Sequence, residues 1–319
     1  MIYVNLTLVF TAYASPGPLS YGVFFVTVLT YLATVFVNVI LMLIIYSDTS
    51  LHKPMYIFLF NLSISGLIGS STVLPNIMNY LLDEMKHILY SNCLLQVFFV
   101  MFYGGCVYGI ITVMAYDRYV SICKPLQYHI IMTPTKVRML LAVVYIFSIC
   151  FLAVQVHLTS SVPLCRYTVN KLYCDNLAVV SLACLKSALV DLYGLVGVII
   201  FVVCPLSLVI MSYVRILFVS LKASANAKRK ALKTCAPHLI TFINFSSASL
   251  FSVIYNRLNN YLPKELNVFM SVHFILIPPL LHPLIYGMRT ETIRKSFRNI
   301  LQKRVFAFEF HLKPEHKIV

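Results

Sequence analysis

The sequence predicts an all-α membrane protein: a seven-transmembrane helix bundle followed by a short amphipathic helix on the inner membrane surface. Three observations predict it. Of 319 residues 60% are hydrophobic and 11% charged, with a mean hydropathy of +0.86; a soluble domain carries roughly 25% charged residues and needs a polar skin. Seven uncharged runs are each long enough to cross a bilayer core of about 30 Å, which takes roughly 20 helical residues. Lys and Arg gather in alternate connections between those runs. Ten Gly, 14 Pro and no long polar tract exclude collagen-like, low-complexity and disordered chains.

The runs span residues 22–46, 55–82, 93–116, 139–158, 189–214, 234–256 and 266–288. Several contain proline (Pro75, Pro205, Pro237, Pro278, Pro279 and Pro283), which membrane helices tolerate where neighbours satisfy the freed carbonyls. Kinked helices around an interior fit this better than straight anchors. With the N-terminus outside, 19 Lys and Arg fall in inner segments and 6 in outer ones, which the positive-inside rule reads as orientation. The formal charge of +15 is thereby assigned to topology and to attraction for anionic membrane lipids, not to nucleic acid. Asn5-Leu6-Thr7 is a glycosylation sequon in the outer tail, whereas Asn61 and Asn244 begin sequons inside spans, where they are inert. Residues 1–21 hold no Lys or Arg and no short apolar block ending in small residues, so no cleavable leader is expected and the first span serves as insertion signal. From residue 290, Ile293, Phe297, Ile300 and Leu301 share one helical face with bases on the other, as in a helix lying on the inner surface. The chain thus divides into an outer tail (1–21), a seven-span domain (22–288) and an inner amphipathic helix with its tail (289–319).

Four motifs stand at the ends of these spans. Met114-Ala115-Tyr116-Asp117-Arg118-Tyr119-Val120-Ser121-Ile122-Cys123-Lys124-Pro125-Leu126 closes the third. Leu51-His52-Lys53-Pro54-Met55-Tyr56 enters the second, Lys230-Ala231 through Thr234-Cys235 to His238-Leu239 enters the sixth, and Pro283-Leu284-Ile285-Tyr286 ends the seventh. The third-span string closely resembles the MAYDRYVAICxPL signature of vertebrate olfactory receptors, a branch of the rhodopsin-like G-protein-coupled receptors, and the resemblance runs from about residue 22 to about 302. Lys53 and the Tyr286–Thr290 end look similar to the fish-like branch, whose ligands tend to be water-soluble.

The resemblance implies a small-molecule odorant as ligand and a heterotrimeric stimulatory olfactory-type G protein as partner, at the plasma membrane of sensory cilia. It makes Asp117, Arg118 and Tyr119 the switch. Arg118 can pair with Asp117 in one state and reach a partner in another, since its planar, permanently charged fork suits either contact; by itself, such an arginine is more often an interfacial anchor. Tyr213, Lys230 and Tyr286, with the loops around Lys124 and Lys228–Lys233, are implied to form the docking surface. Nine cysteines leave at least one unpaired within the chain. Spacing alone leaves three pairings open for the outward-facing Cys93, Cys165, Cys174 and Cys184; the family pattern picks Cys93–Cys174 and Cys165–Cys184. No Cys/His cluster has zinc-ligand spacing, and no cofactor is expected.

Met101, Gly104, Gly105 and Tyr108 recur at i, i+3, i+4 and i+7 on the third span, and Ser246, Ser249, Leu250, Val253 and Arg257 are expected on one face of the sixth. Two such faces would line an outer odorant cavity, the glycines leaving open volume; close packing through the small residues is the equal alternative. Arg257 could clamp a carboxylate, which points to anionic ligands, or could face lipid headgroups. The chain departs from the family at Gly66, where an acid usually stands, and at His282, where Asn usually precedes the proline, so sodium regulation is doubtful and a hydrogen-bonded neutral histidine is expected. Lys171 stands where the family often has His, and Trp is absent. A transporter would show repeated halves and paired intramembrane charges; an enzyme would need convergent acids, bases or metal ligands. Neither is visible. A rhodopsin-like receptor for another ligand class is the nearest alternative.

Overall fold

The computed structural model describes residues 6–13, 16–222, 224–258 and 264–312, with side chains described for these except 227, 230–232, 252–258, 264–272, 288–289, 301 and 303–312. The helices are α1 (Pro18–Ser47), α2 (Pro54–Leu82), α3 (Tyr90–Cys123), α4 (Tyr128–Ile131), α5 (Pro134–Ser160), α6 (Asn176–Val180), α7 (Ala188–Val198), α8 (Cys204–Leu221), α9 (Ala225–Leu258), α10 (Lys264–Arg289) and α11 (Glu291–Leu312). A π-helical turn, Ile199–Val203, fuses α7 and α8 into one span. Among the described residues there are also three short strands, β1 (Thr7–Phe10), β2 (His87–Leu89) and β3 (Thr168–Val169), and two 3-10 turns, Thr49–Leu51 and Pro125–Gln127. Five of the described helices, with α7–α8 counted as one, are long and apolar enough to cross a membrane, and α10 adds the shorter apolar stretch His273–Gly287. With α9 they make the seven-helix bundle.

Local chemistry sets the boundaries. Pro18, Pro54 and Pro134 open α1, α2 and α5, where a missing N–H costs nothing and φ is already helical. The Thr133 hydroxyl accepts from the Lys136 N–H at 3.2 Å, capping α5. The wide π turn lies just before Pro205 and absorbs the register lost where proline cannot donate. The spans contain the hydropathy runs and overshoot them by up to nine residues, at the start of α9, because a helix continues past the hydrocarbon into its caps.

Helix α3 is the axis of the bundle, packed against α2, α5, α8 and α9. The main core gathers around its buried residues Tyr103, Cys106, Val107, Ile110, Ile111 and Met114. By contrast α1, α5 and α7–α8 turn large apolar side chains outward, among them Leu29, Phe36, Ile146 and Leu192, as lipid-facing helices do.

One end of the bundle carries both disulfides, Cys93–Cys174 and Cys165–Cys184, with Cα separations of 5.4 and 4.7 Å. Over it lies a three-stranded sheet in the order β2-β1-β3. The N-terminal strand β1 is the middle one, antiparallel to β2 (Leu8 opposite Ile88) and parallel to β3 (Phe10 opposite Val169). Leu8, Phe10, Ile88 and Val169 are buried beneath it with Cys93 and Cys174. Residues 7–10 of the expected outer tail are therefore a lid strand. Asp175 caps α6 by accepting from the Ala178 N–H at 2.7 Å and pairs with Lys171.

At the opposite, basic end, α11 folds back under α1. Ser296 donates to Asp48, which also accepts from the Ser50 N–H at 2.9 Å. The packed face of α11 is Ile293 and Ser296, both buried, with Ile300 half-buried, while Phe297 is 39% exposed. Ser296 thus joins Ile293 on the packed face, and Phe297 lies on its flank. The side chain of Leu301 lies outside the described residues.

Candidate functional site

The basic end of α3 holds a buried charge cluster. Asp117 is fully buried, and its carboxylate accepts from Arg118 Nε at 3.0 Å and from the Tyr128 hydroxyl at 2.8 Å. Burying a carboxylate is tolerable only when it is paired and hydrogen-bonded, as here. Tyr128 lies in α4, outside the spans, and its phenol is pushed above the ordinary range by burial and then by the neighbouring Asp117 charge. Its proton therefore stays on the donating oxygen. Tyr119 is half-buried against the core.

A second latch sits one to two turns above. His238 of α9 is fully buried. Its Nε2 lies 3.0 Å from the Ile111 carbonyl of α3, and its Nδ1 bonds the Tyr213 hydroxyl of α8. A carbonyl only accepts, so Nε2 carries the proton and Nδ1 accepts from Tyr213. One histidine thus ties α3, α8 and α9. Tyr286 of α10 is buried in the same core. Lys233 of α9 approaches Glu291 of α11 at 4.0 Å, and Glu291 also pairs with Lys295 at 3.2 Å; these bonds and charges hold the Glu291 carboxyl below its usual range. The Lys230 side chain lies outside the described residues.

In the half nearer the disulfides, the α3–α9–α10 seam is aromatic. Tyr108 donates to Ser249 at 3.0 Å, and its ring meets Phe245 edge-on at 4.8 Å. Tyr103 donates to the Phe274 carbonyl at 3.3 Å and packs on Phe245 and Phe274. Met101 lies between the main core and the core under the lid. The glycines do not leave the expected open volume. A Cβ on Gly104 would stand 3.4 Å from Phe274 Cζ, and one on Gly105 3.0 Å from Phe201 Cδ1, so aromatic rings of α10 and the π turn occupy the space. Leu250 corrects the expected α9 face: it is 59% exposed on the outside of the bundle, because the helix that buries Ser249 turns its neighbour about 100° away. The side chains of Val253 and Arg257, and the whole of Asn5, lie outside the described residues.

His282 is buried and its ring lies 6.0 Å from Phe245. Its Nε2 has no hydrogen-bond partner among the described residues. Gly66 is close-packed instead of hosting a charge, a Cβ there standing 3.3 Å from Pro279 Cβ, and the neighbouring Asn38 donates to the Pro279 carbonyl at 2.9 Å. Among the described residues no group of three or more His, Cys, Asp or Glu is placed to hold a metal. Sequence reading missed three functional contacts: Tyr128 on Asp117, His238 as the three-helix tie, and the lid strand. Only His238 left a signal, an isolated histidine in an apolar run, which is expensive to bury without partners.

A bundle of seven long helices with an Arg–Asp pair at one end and a disulfide-tied lid at the other defines a seven-helix membrane receptor of the rhodopsin-like, G-protein-coupled class. The olfactory receptor family profile matches residues 27–304. Olfactory receptor 10A6 of Homo sapiens is 33% identical over 277 residues, 86% of this chain and 88% of that one. Olfactory receptor 10A3 of Homo sapiens is 32% identical over 292 residues, 91% of each chain, and Olfactory receptor 1 of Rattus norvegicus is 34% identical over 276 residues, 86% and 87% of the two. The chain belongs to the olfactory receptor family. It is a multi-pass plasma-membrane receptor, not an enzyme, and its family implies a small-molecule ligand and a G protein as partners.

Proposed function

We propose that the chain binds a small, water-soluble odorant in the disulfide half of the bundle and, through the Arg118 end, activates a stimulatory olfactory-type G protein that raises cyclic AMP. In this reading residues 1–21 and the lid face outward, 22–288 form the receptor domain, and 289–319 lie on the cytoplasmic side, with Asn5 glycosylated and the receptor in sensory cilia. The split of 19 basic residues against 6 supports that orientation. The observation that carries the mechanism is the double latch. Arg118 is held by Asp117, and α9 is held against α3 by His238, which supports reading these contacts as those of a closed state. An odorant that binds the open state better shifts the population toward it; Arg118, Tyr119, Tyr213, Lys230 and Tyr286 then meet the G protein.

In this reading Met101, Gly104, Gly105, Tyr108 and Ser249, with Val253 and Arg257 of the sixth span, are the odorant contacts; the Tyr108–Ser249 bond at the α3–α9 seam supports it. An odorant of about 8 heavy atoms at roughly 0.7 kcal/mol per atom reaches a Kd near 100 µM. On that scale a charge-assisted pair to Arg257, about 1.5–3 kcal/mol, decides the ligand class in favour of anions. The test is cyclic AMP in cells expressing the chain with the olfactory-type G protein, challenged with carboxylic acids, amino acids and neutral odorants. A response to acids that Arg118→Ala abolishes and Arg257→Ala weakens at equal surface expression supports the reading. An unchanged response to acids in Arg257→Ala removes the anion assignment, and one unchanged in Arg118→Ala removes the switch.

A further inference from the structure

The strip Leu172–Cys174 roofs the bundle interior. Leu172 and Tyr173 are buried against Val73, Leu74 and Ile77 of α2, Val100 of α3 and Ile275 of α10. One end of the strip is tied to α3 twice, by the Cys93–Cys174 disulfide and by Gln96, whose Oε1 accepts from the Cys174 N–H at 2.8 Å while its Nε2 donates to the Thr72 carbonyl at 3.1 Å. The other end is tied from outside the spans: the Tyr13 hydroxyl donates to the Leu172 carbonyl.

Tyr13 is itself firmly seated. Its ring meets Phe10 at 6.0 Å and Tyr80 at 5.6 Å, and the Lys86 ammonium lies 5.9 Å from its centroid. It follows β1, whose Val9 and Phe10 N–H groups donate to the Tyr167 and Lys86 carbonyls, both at 2.9 Å. Burial raises the Tyr13 phenol well above its ordinary range, so the oxygen keeps the proton it donates.

We propose that Tyr13 is a positioning residue of the odorant site: through its bond to the Leu172 carbonyl the N-terminal segment fixes the height of the Leu172–Cys174 roof and so takes part in odorant selectivity. The proposal rests on the receptor reading above for the word odorant, and on geometry alone for the hold on the roof. A roof tied to α3 by a covalent bond at Cys174 loses a direct restraint at Leu172 when the Tyr13 bond is removed, and its height there shifts. Space beneath it then changes more for large ligands than for small ones.

The experiment compares full-length wild type, Tyr13→Phe and, as control, Tyr167→Phe at an exposed tyrosine of the same lid. In lipid nanodiscs without odorant, Tyr13→Phe is expected to raise amide exchange of residues 170–174 about fivefold, the loss of one hydrogen bond, with the spans unchanged. In cells it is expected to shift agonist EC50 by a factor that grows with odorant size, at unchanged maximal response and surface expression. Unchanged exchange overturns the positioning role; faster exchange with one common EC50 shift overturns the selectivity role. A wild type silent to every odorant counts against the receptor reading, while the exchange result still decides what Tyr13 holds.

Discussion

Replacing Gly69 by alanine would add a single methyl where none fits. Its Cβ would stand 2.5, 2.7 and 2.9 Å from Cγ, Cδ2 and Cδ1 of Tyr103, against an optimal carbon–carbon separation of about 3.5–4.0 Å. The clash strikes the root of the ring, not a movable tip. Tyr103 is fully buried, packs on Phe245 and Phe274 at 5.9 and 5.3 Å, and donates to the Phe274 carbonyl. Relief would therefore have to disturb α3, α9 and α10 together. Overpacking of this kind costs about 1–3 kcal/mol; about 2 kcal/mol corresponds to roughly a thirtyfold loss in the folded ratio and a fall in Tm of about 5 °C. The chain has no Trp, so the assay follows a thiol-reactive fluorophore as heating exposes the buried Cys106 and Cys235. Gly69→Ala melting within about 1 °C of wild type would refute the reasoning, as would Gly69→Ala and Tyr103→Leu proving strictly additive when combined, because residues sharing a clash must couple.

Three more outcomes are expected. Tyr128→Phe removes one bond to the buried Asp117 carboxylate, about 1.5–3 kcal/mol of the closed state, so a resting active share of about 1% rises to about 10% or more; basal cyclic AMP per surface receptor should climb, and an unchanged basal level sinks the latch. Cys165→Ser with Cys184→Ser opens a loop whose closure contributes about 3 kcal/mol, and surface delivery measured by flow cytometry should drop while Cys150→Ser, exposed and unpaired, matches wild type. Ser296→Ala leaves Asp48 short of one donor, and amide exchange over 291–300 should quicken about fivefold; equal exchange would show that α11 is held by its apolar face alone.

The spans were legible because length and absence of charge are absolute signals in a bilayer. Which way each residue faces was not. In a soluble helix, polar residues mark the outer face, but in α9 both the core-facing Phe245 and the outward-facing Leu250 are apolar, so periodicity has little contrast. That is why Leu250, grouped with Ser246 and Ser249 on one face, is expected in the cavity wall although only Ser249 of the two neighbours turns inward. Gly104 and Gly105 signalled closeness without naming the rings of Phe274 and Phe201 that come close. The strand β1 was invisible for another reason: Thr7–Phe10 is four residues long, and its partners stand some 80 and 160 positions away.

The place of β1 has a consequence in time as well as in space. A strand whose neighbours are His87–Leu89 on one side and Thr168–Val169 on the other cannot be completed until half of the chain has been synthesised. Pairings so distant along the chain close late and slowly. A strand made early is thus among the last elements to settle, and a nascent receptor stalled before residue 169 has an unpaired, apolar edge to shield.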